Sequence, residues 1–292
     1  MKFWIKNKIN IATLSAVFSA VFFAVCIPFA KILTSYIGYA MLGGFLYFGA
    51  GIGLSIIGLF SKKSANKLTT QELPVMAAIV LLDISAITLL MFGISKTTGA
   101  NASLLGNFEL VCTSLFAYII FKEAVSKRLM PAIMLITAAC CILTFEGIES
   151  LVFNGGSLFV LLSALCWGLE NNFTRKVSSK NTAQITTIKG LCSGMGSLIL
   201  AIILKENFPA VKYIVFGLLL GFISYGISVC LYIYAQRFLG AVKTGAYYSL
   251  SPFIGVIFCL IFLREFPNIQ FYIALIFMII GTILVIKDTQ NS

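Results

Sequence analysis

The chain of 292 residues is 60% hydrophobic and 11% charged, whereas a soluble domain carries about 25% charged and about 45–50% apolar residues. Surface-to-volume scaling leaves a water-soluble fold with a polar skin that this composition cannot supply, so a soluble domain is excluded and a polytopic membrane protein is indicated. The net charge of +11 does not point to nucleic acid, because the basic residues sit in short clusters between apolar runs and none interleaves with aromatics on one exposed face.

Histidine is absent, which removes His-based triads, HExxH zinc sites and histidine proton relays. The eight cysteines all fall inside apolar runs without a CxxC or other metal spacing, as small buried hydrophobes do. No cofactor or metal is expected. No GxxxxGK[ST] loop is present, so ATP is not the direct drive of any transport step.

Ten apolar runs are long enough to cross about 30 Å of hydrocarbon. They lie at 12–33, 38–60, 75–94, 98–121, 130–146, 156–176, 184–204, 212–235, 241–263 and 270–287. The first is too long for a signal-peptide core and lacks a small-x-small cleavage site, so it counts as a span. Each is expected to be a helix, because an open sheet would leave backbone groups unpaired in lipid. The short connections make successive helices antiparallel and leave no room for a soluble domain. With the N-terminus placed in the cytoplasm, fifteen Lys and Arg residues fall in inner segments and five in outer ones. The excess predicts a cell-membrane protein with both termini cytoplasmic.

Four ionisable residues lie well inside spans: Asp83 in span three, Glu109 in span four, Glu170 in span six and Lys189 in span seven. Each costs roughly 2.5–3.5 kcal/mol at a helix centre, so such residues usually face a bundle interior or a wet cavity. In an antiparallel hairpin, residues equally far from the turn lie at equal depth. Asp83 and Glu109 are equidistant from the turn at 95–98, and Glu170 and Lys189 from the turn at 177–183. Glu170 is therefore expected to meet Lys189, as a clasp between helices, a substrate contact or a cytoplasmic gate. Asn171 and Asn172 are placed to satisfy neighbouring polar groups or a ligand. If Asp83 and Glu109 face each other they cannot both ionise cheaply, and a proton or another cation would sit between them. The other possibility is that they face different helices and have a structural role. Asn107, Ser103 and Thr113 add polar groups to span four.

Span eight carries Gly217, Gly221, Ser224 and Ser228 at helical spacing, a close-packing stripe, with Tyr225 and Tyr232 on the other side. In span nine Tyr247, Tyr248, Ser249 and Ser251 precede Pro252. The proline leaves the carbonyl near Tyr248 without its usual donor. Such an irregular stretch is either a plain kink or part of a cavity wall.

The two halves of the chain repeat. "SAVFFAVCIPFAK" (19–31) aligns with "SALCWGLENNFTR" (163–175), and "SLFAYIIFKE" (114–123) with "GVIFCLIFLRE" (255–265), setting Lys122-Glu123 against Arg264-Glu265. The halves, 1–150 and 151–292, hold five spans each. Five is odd, so the halves must be oppositely oriented, as in transporters whose central site alternates between the two sides of a membrane. This pattern, with the Trp167-Gly168 of "ALCWG" and the basic-acidic pairs, resembles the drug/metabolite transporter superfamily of EamA type over essentially the whole chain. The first repeat departs from it, with Phe23-Ala24 where Trp-Gly is usual, and span four reads Glu109-Leu110 where Glu-Pro is frequent. The resemblance implies ten transmembrane helices in two inverted five-helix repeats. Helices one, three, four, six, eight and nine would line a central cavity, and five and ten would sit outside. It also implies export of small metabolites.

The expected function is thus a secondary transporter, not an enzyme, working by alternating access. The excess of buried acids favours a cationic or zwitterionic solute, exported in exchange for protons. A facilitative uniporter or importer, and a lipid flippase or membrane sensor on the same fold, are the alternatives. The candidate substrate-binding or coupling residues are Asp83, Asn107, Glu109, Trp167, Glu170, Asn171, Lys189, Tyr225, Tyr232, Tyr248 and Ser249. The expected partners are a small-molecule solute and the lipid bilayer, with the chain acting as a monomer.

Overall fold

A computed structural model describes residues 2–60, 67–122, 129–146 and 152–291. The positions Ser64, Glu123 and Ser150, and the inner-loop residues Lys62, Lys63, Lys127 and Arg128, lie outside the described residues. Apolar segments in lipid must satisfy their own backbone, and nearly all the described chain is helical. In order the helices are α1 (Lys2–Ala24), α2 (Cys26–Leu33), α3 (Tyr39–Phe60), α4 (Leu73–Lys96), α5 (Gly99–Leu105), α6 (Phe108–Ile119), α7 (Leu129–Thr144), α8 (Gly155–Val177), α9 (Thr182–Ile203), α10 (Val211–Gly221), α11 (Ser228–Tyr248), α12 (Ser251–Phe258) and α13 (Ile269–Asn291). Two strands of two residues, β1 (Phe145–Glu146) and β2 (Val152–Phe153), pair antiparallel between α7 and α8.

Helices occupy all ten expected spans, but they do not equally resemble membrane crossings. Among the described residues seven stretches are long and apolar enough. Within α7 and α13 the apolar stretches counted among the described residues, Met130–Thr144 and Ile269–Val285, are shorter. The 23-residue α8 carries Glu170, Arg175 and Lys176 in its second half, which lowers its apolar content.

Several spans are discontinuous. Span one breaks at Val25, between α1 and α2, because Pro28 has no N–H to offer the Ala24 carbonyl. Span nine breaks at Ser249-Leu250, between α11 and α12, where Pro252 withholds its donor from Tyr248. Span four breaks at Gly106-Asn107, between α5 and α6, with no proline nearby. The boundary between spans eight and nine is a sharp kink at Gly240, whose φ of 80° suits glycine. Wider π turns occupy Phe222–Ile227 and Cys259–Leu263.

Packing pairs α4 with α8, α1 with α11, α3 with α9, and α7 with α13. The small-residue stripe of span eight is a packing face. A Cβ on Gly221 would lie 2.0 Å from the Leu46 carbonyl oxygen of α3, and one on Gly49 would lie 1.9 Å from that of Leu218. Further along, Ser228 Oγ donates to the Ser19 carbonyl at 2.8 Å and Ser19 Oγ to the Ser228 carbonyl at 2.8 Å.

Polar contacts tie both ends of the bundle. At the end where α2 stops, Lys31 Nζ donates to the carbonyls of Ile94 and Thr97, each at 2.7 Å. Glu206 accepts from the amides of Ala40 (3.1 Å) and Met41 (2.8 Å), and Glu265 from those of Gly99 (2.8 Å) and Ala100 (2.7 Å). The basic-acidic pair closing span nine thus caps another helix. Arg264 takes a left-handed conformation, φ 51°, which ends its own helix as Glu265 reaches the first turn of α5, where negative charge is favoured. Lys205, φ 55°, precedes Glu206 in the same manner. At the opposite end Lys180 pairs with Glu72 at 2.8 Å, and Gln184 Oε1 accepts from the Leu68 amide at 3.0 Å.

Candidate functional site

Burial of a charge is tolerable only when it is paired and hydrogen-bonded; three of the four intramembrane ionisable residues form one charge-paired group, and Glu109, only partly buried, is hydrogen-bonded in a second. Lys189 of α9 stands between two carboxyl groups. Its Nζ lies 2.6 Å from Glu170 Oε1 on α8 and 3.4 Å from Asp83 Oδ2 on α4. Asp83 is fully buried, and Glu170 and Lys189 nearly so. Tyr47 Oη donates to Asp83 Oδ1 at 2.7 Å, Trp167 Nε1 donates to Tyr47 Oη at 3.4 Å, and Thr174 Oγ1 donates to Glu170 Oε1. The contact expected between Glu170 and Lys189 is present, but it is one arm of a triad.

The second group centres on Glu109, in the first turn of α6. Asn171 Nδ2 donates to Glu109 Oε1 at 2.7 Å and to Thr113 Oγ1 at 3.4 Å. Asn172 Nδ2 donates to the Thr113 carbonyl (3.0 Å) and the Gly168 carbonyl (2.9 Å). The two amides after Glu170 therefore fasten α8 to α6. Asp83 and Glu109 do not form the facing pair that equal depth suggested. Counting from a turn fixes height along a helix but not direction around it. Asp83 points to α9, whereas Glu109 points to α8.

Two adjoining cavities run through the centre. The first has about 670 Å³ free of protein atoms, counting the part open to solvent. Its wall is mostly apolar, with Leu90, Leu110 and Val160, and it takes in Asn107 and Ser249 at the two helix breaks. The second, about 450 Å³ on the same measure, is lined by Asp83, Glu170, Asn171, Lys189 and Tyr225. Phe23, Glu109, Trp167, Tyr232 and Tyr248 border both. The aromatics form a partition: Phe23 lies 6.3 Å from Trp167, 5.4 Å from Tyr248 and 5.5 Å from Tyr225, and Tyr232 lies 4.9 Å from Tyr248 between ring centroids. Glu109 is the acid in that partition.

All eleven candidate residues line one cavity or the other. The lining helices are those the resemblance implied, with two additions: Tyr47 from α3 in span two and Lys189 from α9 in span seven. Neither α7 nor α13 contributes, and they pack on each other. Sequence reasoning missed Tyr47 and Phe23. Nothing in the Gly-rich run around Tyr47 sets it apart. Phe23 carried a signal, because the repeat alignment sets it against Trp167, and the two rings touch.

Comparison with known proteins supports a common family. The chain is 27% identical to a protein named "Uncharacterized transporter" from Methanothermobacter thermautotrophicus, over 93% of this chain and 84% of that one. It is 23% identical to "Uncharacterized transporter YyaM" from Bacillus subtilis, over 70% and 67%, and 22% identical to an "Uncharacterized transporter" from Clostridium kluyveri, over 77% and 76%. A solved structure described as "Crystal structure of protein" is similar in fold, with a TM-score of 0.71 at 16% identity over 96% of this chain and 97% of that one. The EamA-like transporter family matches twice, over residues 10–145 and 154–287. Together these matches span nearly the whole sequence, and the chain belongs to the EamA-like transporter family.

Proposed function

We propose that this transporter exports a small cationic or zwitterionic solute by alternating access, in exchange for protons. The observation that carries the proposal is Glu109, a carboxyl group in the aromatic partition between two central cavities. An intramembrane acid bordering a cavity suits a coupling or cation-binding role, and aromatic faces attract an organic cation. The Asp83–Lys189–Glu170 triad supplies its own cation and serves as the framework of the second cavity. Solute flux in proteoliposomes, with and without an imposed pH gradient, tests the reading. A wild type indifferent to the gradient removes proton coupling.

In this proposal all ten helical spans cross the membrane, in repeats 1–150 and 151–292 of opposite orientation, and the chain works as a monomer without a cofactor. The support is the double family match together with five spans in each half, and the interruption of both span four and its counterpart span nine, a feature of transporter binding sites. Both termini are cytoplasmic on the fifteen-to-five basic excess. In a cysteine-free background, an impermeant thiol reagent applied outside should label a cysteine at Ser150 and spare one at Ser64. The reverse pattern would overturn the orientation.

A further inference from the structure

The first cavity contains a side chain that the fold leaves unused. Asn107 is 2% exposed, and neither its Oδ1 nor its Nδ2 has a hydrogen-bond partner. Leaving a buried amide unpaired is costly, and native proteins do so rarely. The ordinary role for asparagine ahead of a helix is a cap. Asn107 precedes α6, but its backbone is helical and its side chain makes no capping bond. Asn171 and Asn172, in the same bundle, each donate two hydrogen bonds. Asn107 stands in the wall of the first cavity.

Its position adds a second argument. Asn107 lies at the break of span four, and its counterpart by order in the second half, span nine, breaks at Ser249-Leu250. Both line the first cavity. The breaks adjoin, since a Cβ on Gly106 would lie 3.8 Å from Pro252 Cγ. Span four has no proline here; Gly106 and Asn107, both weak helix formers, keep helical dihedrals while the backbone tightens to i→i+3 hydrogen bonds.

We infer that Asn107 is a specificity-determining residue that reads a neutral amide edge on the solute: a carboxamide, lactam or urea group presenting N–H beside C=O. This rests on the cavity being the transport site for a cationic solute. An asparagine side chain offers an acceptor and a donor side by side, and a single neutral group offering a donor and an acceptor side by side satisfies both at once. A carboxylate accepts but does not donate, so it leaves Oδ1 unpaired against another oxygen. A ketone satisfies Nδ2 alone, and an ammonium satisfies Oδ1 alone. Glu109, two residues along and on the same cavity wall, takes the cationic end, while Leu90, Leu110 and Val160 contact the apolar body. The solute class is a small organic ammonium whose other end is a neutral amide.

The test uses the purified full chain and four probes sharing one ammonium: benzylamine and its para-carboxamide, para-acetyl and para-carboxylate derivatives. Affinities are measured for wild type, Asn107→Leu and Glu109→Gln. In wild type the carboxamide should bind about tenfold more tightly than the acetyl compound, the size of effect expected when a site's buried donor or acceptor is left unpaired. In Asn107→Leu the ratio of carboxamide to acetyl affinity should fall to about one, whatever the change in benzylamine affinity common to all four probes. Ligand-free Asn107→Leu should melt higher than wild type by about 2–4 °C, because a side chain of similar size replaces an unpaired amide. A lower melting temperature, or failure to fold, would show that Asn107 supports the fold and would overturn the inference. So would an unchanged ratio, or a preference for the carboxylate probe, while Glu109-dependent binding of benzylamine persists. If no probe binds wild type, or Glu109→Gln binds benzylamine as well as wild type does, the cationic-solute reading falls and the amide seat with it.

Discussion

Lys189→Met should be the most damaging single substitution in the protein, lowering stability by about 3–5 kcal/mol. The methionine has nearly the length of lysine, so packing is preserved and the loss is electrostatic. It leaves Asp83 and Glu170, both buried, without the ammonium that lies 3.4 Å from one and 2.6 Å from the other. Glu170→Gln should cost less, because Lys189 keeps Asp83. The combination of Asp83→Asn, Glu170→Gln and Lys189→Met removes all three charges and should recover most of the loss, since residues that share one network are not additive. Thermal unfolding in detergent, followed by size-exclusion chromatography, measures this. Effects that simply add would show that the three do not act as one unit. A Lys189→Met protein as stable as wild type but inactive would mean that the lysine is a mobile part of the transport cycle.

Glu109→Gln should abolish pH-driven transport and weaken solute binding, while retaining exchange between equal solute pools at concentrations high enough to fill the weakened site. Glutamine keeps the size of the side chain and an oxygen that can accept from Asn171, so the link between α6 and α8 survives. It cannot release or take up a proton, so the gradient loses its handle on the cycle. Driven flux in proteoliposomes should fall to that of protein-free vesicles. Asp83→Asn should act differently. Its carboxyl group is engaged by Tyr47 and Lys189, so the change should lower stability first and flux only as folded protein is lost. If Glu109→Gln loses exchange and driven transport together, the acid binds solute without coupling, and the transporter is a uniporter.

The sequence made the spans legible because lipid imposes one demand on the backbone, and length and apolarity record it directly. It also revealed heights, since counting outward from a turn placed Glu170 beside Lys189. It could not reveal direction around the helix axis. An all-apolar helix has no wet face to orient it, so Asp83 turned out to face Lys189 rather than Glu109. Breaks caused by proline at Pro28 and Pro252 were visible in principle, whereas the break at Gly106-Asn107 had no such mark. Tyr47 was invisible for a related reason, because its role depends on what a distant helix presents to it. Phe23 was visible only through its repeat partner, Trp167.

The carboxylates of Glu206 and Glu265 have a consequence for watching this protein work. Each holds two backbone amides on another helix, those of Ala40 and Met41 and those of Gly99 and Ala100. These amides begin their helices and have no carbonyl within the helix to bond. Their protection from deuterium therefore depends on a carboxylate that belongs to the other half of the molecule. When the halves part at that end, four amides become free to exchange while the helices themselves stay intact. Hydrogen–deuterium exchange at these positions is thus a label-free clock for opening at one end, distinct from unfolding, which would expose the helix interiors as well.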